Sequence, residues 1–146
     1  MIKKIDHEWN EDTGFCVCVI TDENNRIFVG EAQCHEQDTD MRSEKVGFEI
    51  AYRRAKIQKL CFARDNELKP RLAALKQLYY SMAHSSQFNP KSYENKMLQK
   101  QIRIIEFDLA TIKEILAYER TSLKAYISLK DELYQKLRAN REGKTN

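Results

Sequence analysis

Two cysteines one residue apart sit in the run Phe15-Cys16-Val17-Cys18-Val19-Ile20, and a Cys34-His35 pair follows. On a strand, alternate residues share a face, so Cys16 and Cys18 could both reach one ion. Zinc sites more often use Cys-x-x-Cys knuckles in pairs, and the chain has no second pair. The simpler reading makes both thiols small buried apolar groups, so no metal and no cofactor are expected. His7 and His84 lie in separate polar segments. A Gly-x-Ser-x-Gly elbow, a Walker loop, a dinucleotide fingerprint and a His-Glu-x-x-His pair are all missing from the sequence. No nucleophile, base and anion cradle can be assembled in one place. The chain reads as a protein that is not an enzyme.

Binding chemistry is better represented. Arg53 falls where a helix seam calls for an apolar residue, with Tyr52, Arg54 and Lys56 beside it. Such a guanidinium either pairs between helices, as most charges at a helix edge do, or points at an anion. Arg103 lies one residue from seam position Ile102. The connector Gln87-Phe88-Asn89-Pro90-Lys91-Ser92-Tyr93 holds two aromatics, an amide, a cation and a helix start. Phe88 and Tyr93 offer stacking faces, Asn89 can read a base edge, and free N–H groups favour a phosphate. The same residues also satisfy the rules of a helix start without any ligand. Asn89 would be the N-cap, Pro90 the first helical residue, and Phe88 with Tyr93 a hydrophobic staple. Arg54, Phe88, Asn89, Tyr93 and Arg103 are the candidate ligand-binding residues.

Long helices must position these groups. Leu98, Ile102, Ile105, Leu109, Ile112, Leu116, Leu123, Tyr126, Leu133 and Leu137 follow a heptad spacing, the edge of a helix that packs on another helix. At about 1.5 Å per residue, a helix over residues 92–137 is roughly 70 Å long. A compact domain of this chain length is only about 30–35 Å across, so the helix needs an equally long partner. An earlier helix begins at Ser43, an N-cap type, and keeps the spacing through Val46, Ile50, Arg53, Ile57 and Leu60. Leu68, Leu72, Leu75, Tyr79 and Met82 keep it too, one residue out of phase. Pro70 cannot donate to Asn66 and its ring clashes there, so a kink or short break is expected at Asn66–Pro70.

Upstream, residues 15–20 and Arg26-Ile27-Phe28-Val29-Gly30 form a hairpin around Asn24-Asn25, which tolerates left-handed backbone. Ile2 to Trp9 adds an edge strand. The hairpin is apolar on both faces and needs cover on both. His35 to Asp40 is a polar linker. The expected fold is α+β: a small N-terminal antiparallel β-sheet followed by two long antiparallel helices, oligomerising through the helices. A single domain over 1–146 is expected, with the sheet in 1–38 and the helical hairpin in 43–140.

With 146 residues, four glycines, two prolines and 32% charged residues, the chain suits long regular elements. A formal net charge of +3, with both signs interleaved, is too weak to point to nucleic acid. No apolar run approaches the roughly 20 residues that span a bilayer, and Met1 to Asp6 has no apolar core of a signal peptide. A cytoplasmic protein with reduced cysteines is expected.

In the order of its parts the chain resembles the first-described family of Thoeris anti-defence sponges of bacteriophages. The likeness is carried by Phe15-Cys16-Val17-Cys18-Val19-Ile20, by Lys45-Val46-Gly47-Phe48-Glu49-Ile50-Ala51-Tyr52-Arg53-Arg54-Ala55, and by Leu75-Lys76-Gln77-Leu78-Tyr79-Tyr80 through Phe88-Asn89-Pro90. It rests on architecture and texture rather than on a diagnostic motif, and would cover nearly the whole chain. The resemblance implies a protein that binds a cyclic ADP-ribose isomer made by a bacterial TIR-domain enzyme and sequesters it uncleaved in the host cytosol. It also implies a homo-oligomer, a dimer or higher, with pockets at subunit interfaces, and in some members a second site for cyclic oligonucleotides. Two other readings stay open: a coiled-coil adaptor or inhibitor that binds another protein, and a nucleic-acid-binding protein.

Overall fold

The computed structural model describes residues 1–35, 41–85 and 87–144. Strands β1 (Ile2–Asn10), β2 (Phe15–Asp22) and β3 (Ile27–Gln33) precede helices α1 (Glu44–Phe62), α2 (Lys69–Ala83) and α3 (Tyr93–Lys144), and a π-helical turn (Ala63–Leu68) joins α1 to α2. The architecture is α+β, with a three-stranded antiparallel sheet in the order β1-β2-β3. Apart from His35, the linker read at His35 to Asp40 lies outside the described residues. The second long helix runs to Lys144, past the expected end at 140. No described helix is long and apolar enough to cross a membrane. The chain divides into two compact units: Met1–Lys59 with the chain from Tyr118 onward, and Leu60–Ala117.

The first unit is built on the sheet. Strand alternation sends Cys16, Cys18, Ile20 and Asp22 of β2 and Phe28, Gly30 and Ala32 of β3 to one face, and all seven are buried. Helix α1 covers that face. It comes so close at Gly30 that a Cβ there would strike the Ala51 carbonyl and the Ala55 N–H. Ala51 and Ala55 are fully buried for the same reason. Helix and strand meet through small side chains. Phe15, Val17, Val19 and Val29 face the other way and are half-buried, so one side of the two-faced hairpin is covered by helix and the other is not. The β2–β3 turn has the left-handed residue expected from Asn24-Asn25: Asn25 has φ +61°. Asp22 Oδ1 accepts the N–H groups of Asn24 at 2.9 Å and Arg26 at 3.0 Å, which ties the turn. Ser43 caps α1, its Oγ accepting the Val46 N–H at 3.3 Å.

Arg53 takes the interhelical reading. Its Nε donates to Glu49 at 2.7 Å, its Nη1 to Ser122 Oγ at 2.9 Å, and its guanidinium lies 5.4 Å from the Tyr126 ring centre. On this stretch of α3 the buried residue is Tyr134, while Leu133 and Leu137 are 54% and 44% exposed. This corrects the heptad assignment of both leucines. A straight α-helix drifts about 20° per heptad from a strict seven-residue repeat. Within the first unit the covered residues of α3 include Leu123, Tyr126, Ile127, Lys130 and Tyr134, so the inner face keeps Leu123 and Tyr126 of the predicted seam and takes Tyr134 in place of Leu133.

The second unit packs α2 against the first part of α3. Leu98, Ile105 and Leu116 are its buried apolar residues, with Leu68, Leu72, Leu75, Tyr79 and Met82 half-buried opposite. In place of a break at Asn66–Pro70 there is a π turn. The chain stays helical but widens into the π turn, in which the Lys69 N–H bonds the Arg64 carbonyl, five residues back. A π turn inserts one extra residue, which is the one-residue phase slip seen in the sequence. Pro70 then falls in the first turn of α2, where its missing donor costs least.

Candidate functional site

In the second unit, α2 and α3 frame an open groove of about 310 Å³ lined by Lys76, Tyr79 and Tyr80 of α2 and by Gln99, Ile102, Arg103 and Glu106 of α3. Helix geometry explains the grouping. Positions 76, 79 and 80 share one face of α2, and 99, 103 and 106 share one face of α3. Gln99 Nε2 donates to Tyr79 Oη at 3.3 Å, and Lys76 Nζ pairs with Glu106 Oε1 at 3.6 Å. Tyr79 is held edge-on by Phe88, with ring centres 5.7 Å apart and planes at 84°, and meets Tyr80 at 6.1 Å and 66°. Tyr80 is 58% exposed. The groove therefore offers an aromatic wall, an amide, two cations and a carboxylate. The carboxylate half-neutralises the pair of cations and leaves Arg103 as the stronger anion-attracting group.

The sequence-derived candidates fare differently. Arg103 lines this groove, and Phe88 stands behind it as the support of Tyr79. Asn89 shapes the connector. Its Oδ1 accepts the Lys91 N–H at 3.0 Å, and its carbonyl accepts the Ser92 N–H at 3.1 Å and Asn95 Nδ2 at 2.6 Å. The helix start is accordingly displaced from the expected one. Asn89 and Pro90 open a turn, and the cap is Ser92, whose Oγ accepts the Asn95 N–H at 3.3 Å. Tyr93, the expected staple partner of Phe88, is 74% exposed. Arg54 belongs to the first unit. There its Nη1 donates to the Glu31 carbonyl at 2.7 Å, and Arg54 lines an open groove of about 510 Å³ with Val29, Gly30, Glu31, Ile57 and Gln58.

Lys76, Tyr79, Tyr80, Gln99 and Glu106 were missed from sequence. The signal was present, because aromatic and polar residues recur at i, i+3, i+4 and i+7 on two helices that face each other. Tyr79 was instead absorbed into the seam.

The remaining chemistry is structural. Cys16 and Cys18 both face α1, fully buried. Burial pushes both thiols up, with a smaller push from the Glu44 charge on Cys16 and from Cys16 and Asp6 on Cys18. Among the described residues no disulfide is formed, and no group of three His, Cys, Asp or Glu side chains could hold a metal. A cavity of about 30 Å³ among Trp9, Ala32, Cys34, Ile50 and Tyr134 has room for roughly one or two waters, not for a nucleotide. Compared with known protein families, curated proteins and solved structures, the chain matches none.

Proposed function

We propose that the protein binds a cyclic ADP-ribose-type signal in the α2–α3 groove and holds it uncleaved, as a sponge that keeps the signal from its effector. The observation that carries this reading is the meeting of the Tyr79–Tyr80 wall with Arg103, Lys76 and Gln99 in one groove. A purine ring would stack on the tyrosine wall, a contact worth roughly 1–3 kcal/mol per base. Arg103 and Lys76 would take the diphosphate, at about 1.5–3 kcal/mol per charge-assisted hydrogen bond, and Gln99 would reach a ring edge. A volume of about 310 Å³ is at the low end for ligand pockets, so the rest of the ligand would overhang the open rim. Sequestration needs these groups and no turnover.

Calorimetry with a panel of cyclic ADP-ribose isomers tests the reading, together with chromatography of the material released after heat denaturation. An intact ligand, bound at least ten-fold more weakly by Arg103→Ala and by Tyr80→Ala, is expected. No heat with any isomer, or a cleaved product, sinks the proposal. A protein-binding adaptor without a ligand would give that empty result.

A further inference from the structure

The outer face of α3 in the second unit carries a second apolar row. At about 100° per residue, Tyr93, Met97, Ile104, Phe107 and Ile115 fall within about 40° of one line, and the buried Leu98, Ile105 and Leu116 lie about 120–140° around the helix from it. The outer row is exposed throughout: Met97 37%, Ile115 40%, Ile104 49%, Phe107 72% and Tyr93 74%. At about 200 Å² per fully exposed large side chain, it leaves roughly 500 Å² of apolar surface in water. That is at the upper end of the few hundred Å² a monomer ordinarily exposes in one patch.

We propose that this face pairs with the same face of a second copy, antiparallel, about a two-fold axis near Ile105. Two such faces bury about 1,000 Å² in total, which reaches the lower bound of a specific interface. A two-fold contact requires the surface to complement itself, and the residues of α3 do so in this orientation alone. Ile104 lies opposite Phe107 of the second copy, and Met97 opposite Ile115. Lys96 and Glu114 share one flank of the row, Gln101 and Asp108 the other. In an antiparallel pair, like flanks meet, which sets Lys96 against Glu114 and Gln101 against Asp108, each twice by symmetry. Lys100, the one cation within the row, then lies opposite Thr111. A parallel pair would set Lys100 against Lys100. This inference is independent of the ligand reading.

Sedimentation equilibrium on the full chain tests it, with circular dichroism as a check of folding. The wild type is expected to be a dimer at tens of micromolar, and Phe107→Glu a folded monomer. Lys96→Glu and Glu114→Lys should each raise the dimer dissociation constant roughly ten-fold, since two attractive pairs become repulsive. The double variant should return it to near wild type. A monomeric wild type, with the row left for some other molecule, overturns the proposal. So does a Phe107→Glu protein that remains dimeric, or a double variant weaker than either single one. If Phe107→Glu loses its helical signal, the charge reversals at exposed positions decide the matter.

Discussion

Asp22 shows how single residues hold the first unit together. It is 3% exposed, and Arg26 Nε donates to its Oδ2 at 2.8 Å. Burial pushes its carboxyl up. The Arg26 N–H, the Arg26 guanidinium and the Asn24 N–H together pull harder the other way, so the net shift is downward. A carboxyl lowered on folding stabilises above the ordinary range, near about pH 4, and that contribution is lost as pH falls through the folded value. Asp65 in the π turn has the same sign. Its carboxyl is held at about 2, first by Arg64 and then by Lys69 against the upward push of burial, but it is exposed and contributes less. The melting temperature should stay flat from neutral pH to about pH 5 and fall below about pH 4. Asp22→Asn should melt lower at neutral pH and show a shallower acid slope by scanning calorimetry; an unchanged slope would remove Asp22 from the account. Gly30 makes a steric counterpart. Gly30→Ala places a methyl group on the Ala51 carbonyl, a backbone clash that no rotamer relieves. Overpacking of this kind costs about 3 kcal/mol, read as a lower urea midpoint at unchanged slope. A neutral substitution would mean that α1 stands off the sheet.

At the scale of elements, the 52 residues of α3 decide most. Seven-residue spacing identified the helix but drifted off its inner face toward the C-terminus. Leu116 is 2% exposed and Leu133 54%. Leu116→Ala should cost about 3 kcal/mol of stability, the middle of the range for a buried leucine, and Leu133→Ala under about 0.5 kcal/mol. Chemical denaturation of the two variants checks this, and equal losses would reinstate the strict heptad. The π turn teaches a related lesson. A proline with a one-residue slip looks like a break, but an i→i+5 turn absorbs the slip and keeps the helix continuous.

A long helix with an apolar seam needs a partner, and the same chain supplies part of it: α1 meets Ser122 and Tyr126 in the first unit, and α2 meets Gln99 and Glu106 in the second. The apolar surface left exposed includes Tyr118, Leu129, Leu133 and Leu137 in the first unit and, in the second, the outer row of α3, which a search for one seam per helix does not look for. Arg103 of the groove and Phe107 of the outer row are one turn apart on adjoining faces of α3, so binding and pairing are separated best through α2, with Tyr80→Ala expected to weaken binding and leave pairing intact.

The sequence by itself determined the elements, because their signals are local. Alternation in β2, the left-handed Asn25, the Ser43 cap and the helical periods are set by a residue and its near neighbours. It also brought Arg103 and Phe88 forward, since guanidinium and aromatic groups are chemically conspicuous. Only the tertiary structure decided which face of α3 is inner, that Asn89 opens a turn before the Ser92 cap, and that Arg54 is spent on the Glu31 carbonyl. It alone brought Tyr79 and Tyr80 opposite Gln99 and Arg103. Each of these depends on what another part of the chain presents across a contact. Helical drift over many turns, the reach of a long side chain to a distant carbonyl, and the meeting of two helix faces are not properties of any one stretch of sequence.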